Sequence, residues 1–94
     1  MTKRAVWFTS DARFAFESME LGEQRRWAAR INRIAADRPL RATRAVRGVR
    51  HLFRLEADGW ILLYRAPPRR GRIVIAAIAR RRLERLVDAA LAER

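Results

Sequence analysis

The chain has 94 residues, half of them hydrophobic, and a formal net charge of +12. A domain this short buries only about 60–65% of its unfolded surface, so one modest core is the limit, and the apolar content excludes disorder. The absence of Cys excludes disulfides and thiolate metal sites, no apolar run reaches the roughly 20 residues of a membrane helix, and the apolar stretch after Met1–Arg4 ends at Phe8, too short for a signal peptide. A single domain over residues 1–94 is expected, cytoplasmic and without membrane contact.

A first strand is predicted from Arg4 to Thr9. Ser10 is the expected N-cap of a first helix running to about Glu20, with Phe14, Ala15 and Met19 inward. Gly22 breaks it. A second helix is predicted from about Glu23 to Asp37, where Trp27, Ile31, Ile34 and Ala35 recur on one face; Pro39 ends it. Residues 40–48 read as a polar connector. The second strand is expected over Val49–Glu56 and the third over Trp60–Ala66, joined by the tight-turn pair Asp58-Gly59. Pro67–Gly71 turns the chain into a fourth strand, Arg72–Ala79. The third and fourth strands are almost continuously apolar, which predicts central positions covered on both faces. A last helix, Arg80–Glu93, spaces Leu83, Leu86, Val87, Ala90 and Leu91 helically. The order β-α-α-β-β-β-α defines an α+β fold, a mostly antiparallel sheet with a helical layer on one face.

The charge is uneven. Residues 1–37 carry +2, residues 38–82 carry +11 and residues 83–94 carry −1. Such a field attracts polyanions. Twenty-one of the 22 basic residues are Arg, whose fork of donors suits phosphate. Arg38, Arg41, Arg44, Arg47 and Arg50 recur every third residue and continue to Arg54 with no acid between, a candidate RNA-backbone grip. Arg80, Arg81 and Arg82 follow a buried strand; three cations at a helix start oppose its dipole, which points to an anion-binding role. For proton transfer the candidates are His51, the one side chain that titrates near neutrality, Tyr64 and Glu56. Among the aromatics, Trp60 beside its turn is expected to be the exposed one. No metal-ligand spacing, phosphate-binding glycine loop or nucleophilic triad occurs, so neither metal nor cofactor is expected.

The order of residues resembles the RelE/ParE toxin superfamily over nearly the whole chain. The resemblance rests on Val6-Trp7-Phe8-Thr9 with the helix after it, Ile31–Pro39, Val46-Arg47-Gly48 with His51-Leu52-Phe53-Arg54-Leu55, Gly59-Trp60-Ile61-Leu62-Leu63-Tyr64, and Ile73–Ile78 followed by Arg80-Arg81. It implies a small toxin neutralised by a cognate antitoxin. RelE-like members cut mRNA on the ribosome without metal, and ParE-like members poison DNA gyrase. By this resemblance Arg54 and Arg81 match basic site positions. Leu52, Ile61 and Leu86/Val87 stand where the nuclease branch carries a basic residue, an Arg and a Tyr. Proton transfer would then fall to His51, Tyr64 or Glu56. Ribosome-dependent mRNA cleavage is the expected activity, with gyrase inhibition or an attenuated, antitoxin-binding relative as alternatives.

Overall fold

The elements follow the order β1 (Val6–Phe8), α1 (Ser10–Glu17), α2 (Leu21–Ala35), β2 (Thr43–Ala45), β3 (Leu52–Ala57), β4 (Trp60–Arg65) and β5 (Ile73–Arg80). The structure is a computed structural model that describes residues 3–38, 40–68 and 71–82. The strands form one sheet in the order β1-β5-β4-β3-β2. Every pairing is antiparallel except that of β1 with β5. This is the expected α+β class, with the apolar strands β4 and β5 inside the sheet. The expected last helix, with its Leu83–Leu91 stripe, lies outside the described residues; Arg81 and Arg82 have left the strand and are helical. No described helix is long and apolar enough to cross a membrane.

Local chemistry sets the boundaries, and it corrects several expectations. Thr9, not Ser10, caps α1. It is extended, and its Oγ1 accepts from the Ala12 N–H at 3.2 Å while donating to the Ala76 carbonyl at 2.9 Å. One hydroxyl therefore satisfies a free helix donor and pins the helix start to β5. Gly22 is not a breaker. The first helix has already stopped at Glu17, where the Ser18 hydroxyl donates to the Phe14 carbonyl at 2.7 Å. The chain restarts at Leu21 behind Glu20, whose N–H donates to Glu23 Oε1 at 3.3 Å. Gly22 thus falls in the first turn of α2, where backbone N–H groups have no helical partner to lose. The far end of α2 closes as a Schellman motif. Asp37 is left-handed (φ 58°), its N–H reaches the Ile34 carbonyl at 3.0 Å, and the Arg38 N–H reaches the Arg33 carbonyl at 2.9 Å.

The connector expected over residues 40–48 contains β2, which pairs Thr43, Arg44 and Ala45 with Leu55, Arg54 and Phe53. The strand expected from Val49 starts only at Leu52. Gly48 (φ 82°) and His51 (φ 60°) are left-handed and cannot be strand, and the Val46 N–H closes the loop on the Leu52 carbonyl at 2.9 Å. Asp58 (φ 52°) and Gly59 (φ 77°) both have positive φ, which defines the type I′ turn that the Asp-Gly pair predicts.

Alternation along the strands sorts the sheet into two faces. One carries Phe53, Tyr64 and Ile75 in a row, then Leu55, Leu62 and Ile78, then Ala57 and Trp60. These meet Trp27, Ile31, Ile34 and Ala35 of α2, all buried at the predicted spacing, together with Ala12 and Met19. Phe14 was expected inward but is 75% exposed. Two helical residues turn the direction by about 200°, so once Ala12 faces the sheet Phe14 faces water.

Candidate functional site

The opposite face of the sheet carries a different set of residues. Its rows are Trp7, Val74, Arg65 and Leu52; then Ala77, Leu63, Arg54 and Arg44; then Ala79, Ile61 and Glu56. Glu56 is the only acidic residue in the five strands. At its end of the sheet the arginines converge. Arg54 Nε donates to Glu56 Oε1 at 3.1 Å, and Arg81 Nε lies 3.5 Å from Glu56 Oε2. Arg44 sits directly across from Arg54 and lines, with Glu56 and Arg81, a shallow pocket of about 380 Å³ beside the Asp58-Gly59 turn. Like charges directly opposite across strands are destabilising. An arrangement that accepts this cost is suited to holding an anion between the guanidiniums.

The backbone aims this cluster. The Arg81 N–H donates to the Gly59 carbonyl at 2.9 Å, fixing the residue against the β3–β4 turn. Arg80 points the other way, its guanidinium 4.4 Å from the centroid of the Trp60 ring. Trp60 Nε1 in turn donates to Glu23 Oε2 at 2.8 Å. Trp60 is therefore buried, at 6% exposure, and the expectation that it is the exposed Trp is corrected: the DG turn directs its ring under the helical layer, and Trp7 is the exposed one. The Glu23–Trp60–Arg80 chain has no sequence signature, because its members are far apart and unremarkable singly.

Asp58 and Glu23, outside the cluster, are committed elsewhere. Asp58 accepts from Arg30 at 2.7 Å and from Arg26 at 3.3 Å, and these bonds hold its carboxyl below the usual range. The Trp60 N–H does the same for Glu23. Both groups have a folded pKa below the unfolded one. Their contribution is present above the ordinary carboxylate range and is lost as pH falls through the folded values. The thermal midpoint is expected to be level near neutrality and to drop below about pH 4.5. In Glu23→Gln the acid-side drop should shrink; an unchanged pH profile would dismiss the Glu23–Trp60 bond as a source of it.

The remaining expected site residues are placed apart. His51 is exposed in the turn before β3, not in a strand, with its carbonyl accepting from the Ala66 N–H at 2.8 Å. Along β3 it stands about 16 Å from Glu56. Tyr64 lies on the helix-covered face, buried, with its ring stacked on Phe53 at 5.4 Å between centroids. Burial pushes its phenol up, with the Thr43 side chain opposing that in part. Arg38, Arg41, Arg47, Arg50 and Arg82 are exposed outside the strands. The period of three does not form one ladder: Arg44 is on the face that carries Arg54 and Glu56, Arg41 precedes β2, and Arg47 and Arg50 occupy the loop at its other end. Among the described residues, no group of His, Asp and Glu is arranged to hold a metal ion.

This arrangement of two helices and a five-stranded sheet with β1 parallel to β5 is a RelE-like fold. The isolated E. coli RelE toxin superposes with a TM-score of 0.73 at 10% identity, covering 96% of this chain and 97% of that one. The archaeal RelE–RelB complex from Pyrococcus horikoshii OT3 gives 0.73 at 15% identity, covering 85% and 97%. The toxin–antitoxin complex RelBE2 from Mycobacterium tuberculosis gives 0.55 at 24% identity, covering 85% and 100%. No protein-family model and no curated protein matches the chain.

Proposed function

We propose that this chain is the toxin of a toxin–antitoxin pair in the RelE/ParE superfamily, and that it cuts ribosome-bound mRNA. The observation that carries this reading is the Arg54–Glu56–Arg81 cluster on the face opposite α1 and α2, with Arg44 beside it. Arginine stays protonated and cannot act as a base, so Glu56 takes that part. A phosphate of the RNA replaces the Glu56 carboxylate between Arg54 and Arg81. The released carboxylate accepts the proton of the 2′-hydroxyl. The 2′ oxygen attacks phosphorus and the bond to the 5′ oxygen breaks, leaving a cyclic phosphate and a 5′-hydroxyl that takes a proton back. The guanidiniums stabilise the charge that grows on the phosphoryl oxygens. Arg38, Arg41, Arg47, Arg50 and Arg82 add a sequence-independent grip on ribosomal RNA, which Arg80, turned onto Trp60, does not join.

Expression in bacteria without a partner protein, with mapping of mRNA ends, tests this. Growth arrest with new ends inside translated regions, lost together in Arg81→Ala, is the expected result, and co-expression of the cognate antitoxin should restore growth. Arrest with intact messages would overturn it. A second reading, gyrase poisoning without RNA chemistry, draws on Ile61, an apolar residue in the row that carries Glu56. Gyrase-dependent DNA breaks in the arrested cells would establish that reading instead.

A further inference from the structure

The face of the sheet opposite α1 and α2 extends well beyond the Arg54–Glu56–Arg81 cluster. At its far corner, in edge strand β1, Trp7 is 56% exposed. Its neighbours Val6 and Phe8 alternate to the helix side and pack against the core. The Arg72 guanidinium lies 4.3 Å from the Trp7 ring centroid. Across the sheet from Trp7, in the same row, stands the exposed Arg65. The indole therefore has one cation against its ring and a second two strands away in its row, beyond Val74, on a face whose only strand acid is Glu56, at the other end.

We propose that Trp7 is a base-stacking subsite for single-stranded RNA, with Arg72 and Arg65 holding the phosphates beside the stacked base. This deepens the RNA-cutting reading above and rests on it. A nucleobase is a planar ligand with a π face, and stacking on an exposed aromatic is the usual way a protein holds an unpaired base without reading its sequence. Guanidiniums next to the ring supply both phosphate bonds and cation–π contact. Three strand spacings across the sheet, about 14 Å, and four residues along β3, about 13 Å, separate Trp7 from Glu56, a diagonal of roughly 20 Å that one strand of RNA can follow to meet both the cluster and Trp7. The charge beside the ring favours RNA over an apolar peptide: Arg72 lies on the indole and Arg65 stands exposed in its row.

The test is binding of a fluorescently labelled oligoadenylate to the full chain, followed by anisotropy over a salt series. Trp7→Ala should weaken binding roughly tenfold, and Trp7→Phe, which keeps an aromatic face, much less. The slope of log affinity against log salt should stay as in the parent chain, because no phosphate contact is removed. Binding to polyphosphate, an anion without bases, should not change. Equal oligoadenylate affinity in the parent chain and Trp7→Ala would overturn the proposal. So would an equal loss on polyphosphate, no oligoadenylate binding by the parent chain, or a loss confined to capture of a protein partner. Because this assay contains no ribosome, a Trp7-dependent loss alongside intact cellular messages would reject cleavage and keep the stacking subsite.

Discussion

Glu56→Gln is expected to lower cleavage of translated messages by roughly 10²–10⁴-fold, the usual worth of a positioned acid–base group. Gln matches Glu in shape but cannot take a proton. The same change removes the one strand acid from a cationic face, so affinity for uncut single-stranded RNA should rise slightly. Chemistry and binding thus move in opposite directions, which a merely structural Glu56 would not produce. Mapping mRNA ends in cells and titrating a labelled oligonucleotide in vitro read the two quantities. Cleavage at the parent rate would release Glu56 from the base role and return it to His51 or Tyr64. Both would then have to reach the cluster: His51 from a turn about 16 Å away and Tyr64 from the covered face of the sheet.

The second large effect is on stability. Trp27 is fully buried between α2 and the sheet, and Trp27→Ala should cost about 3–5 kcal/mol. For a chain of this size that lowers the thermal midpoint by about 15 °C or more. The loss includes the contact of Arg30 with the indole, at 4.8 Å from its centroid, and so loosens the arginine that holds Asp58. Trp27→Phe should cost much less. The indole N–H is buried without a hydrogen-bond partner among the described residues, and Phe removes that unmet donor while keeping most of the volume. Thermal denaturation followed by circular dichroism would measure both. A drop below about 5 °C in Trp27→Ala would show that α2 is not a main support of the sheet.

The fold was legible wherever one local signal dominated. The spacing of Trp27, Ile31, Ile34 and Ala35 gave the buried face of α2, and the Asp-Gly pair gave the hairpin between β3 and β4. Signals that depend on partners distant in sequence were not readable. Thr43–Ala45 is strand because Leu55, Arg54 and Phe53 lie beside it. Trp60 is inside because Glu23 and Arg80 receive it. Phe14 looked like core by its chemistry, and the phase of α1 turned it to water. The candidate site shows the same division. The clustering of Arg was plain in the sequence, but which of them converge depends on strand register, and that register separates His51 and Tyr64 from Arg54, Glu56 and Arg81.

The parallel pairing of β1 with β5 has a consequence in time. The Thr9 hydroxyl meets the carbonyl of Ala76, 67 residues further on, and β5 is the strand that joins β1 to the rest of the sheet. On a chain made from its N-terminus, Val6–Phe8 has no strand partner until Ile73–Arg80 has been synthesised. The helices and the β3–β4 hairpin form from nearby residues, whereas closure of the sheet waits for the most distant contact. Arg81 follows that strand directly. The anion-gripping corner therefore comes into being as one of the last events of biogenesis, and a chain halted before β5 carries most of its arginines without the surface that would make them act together.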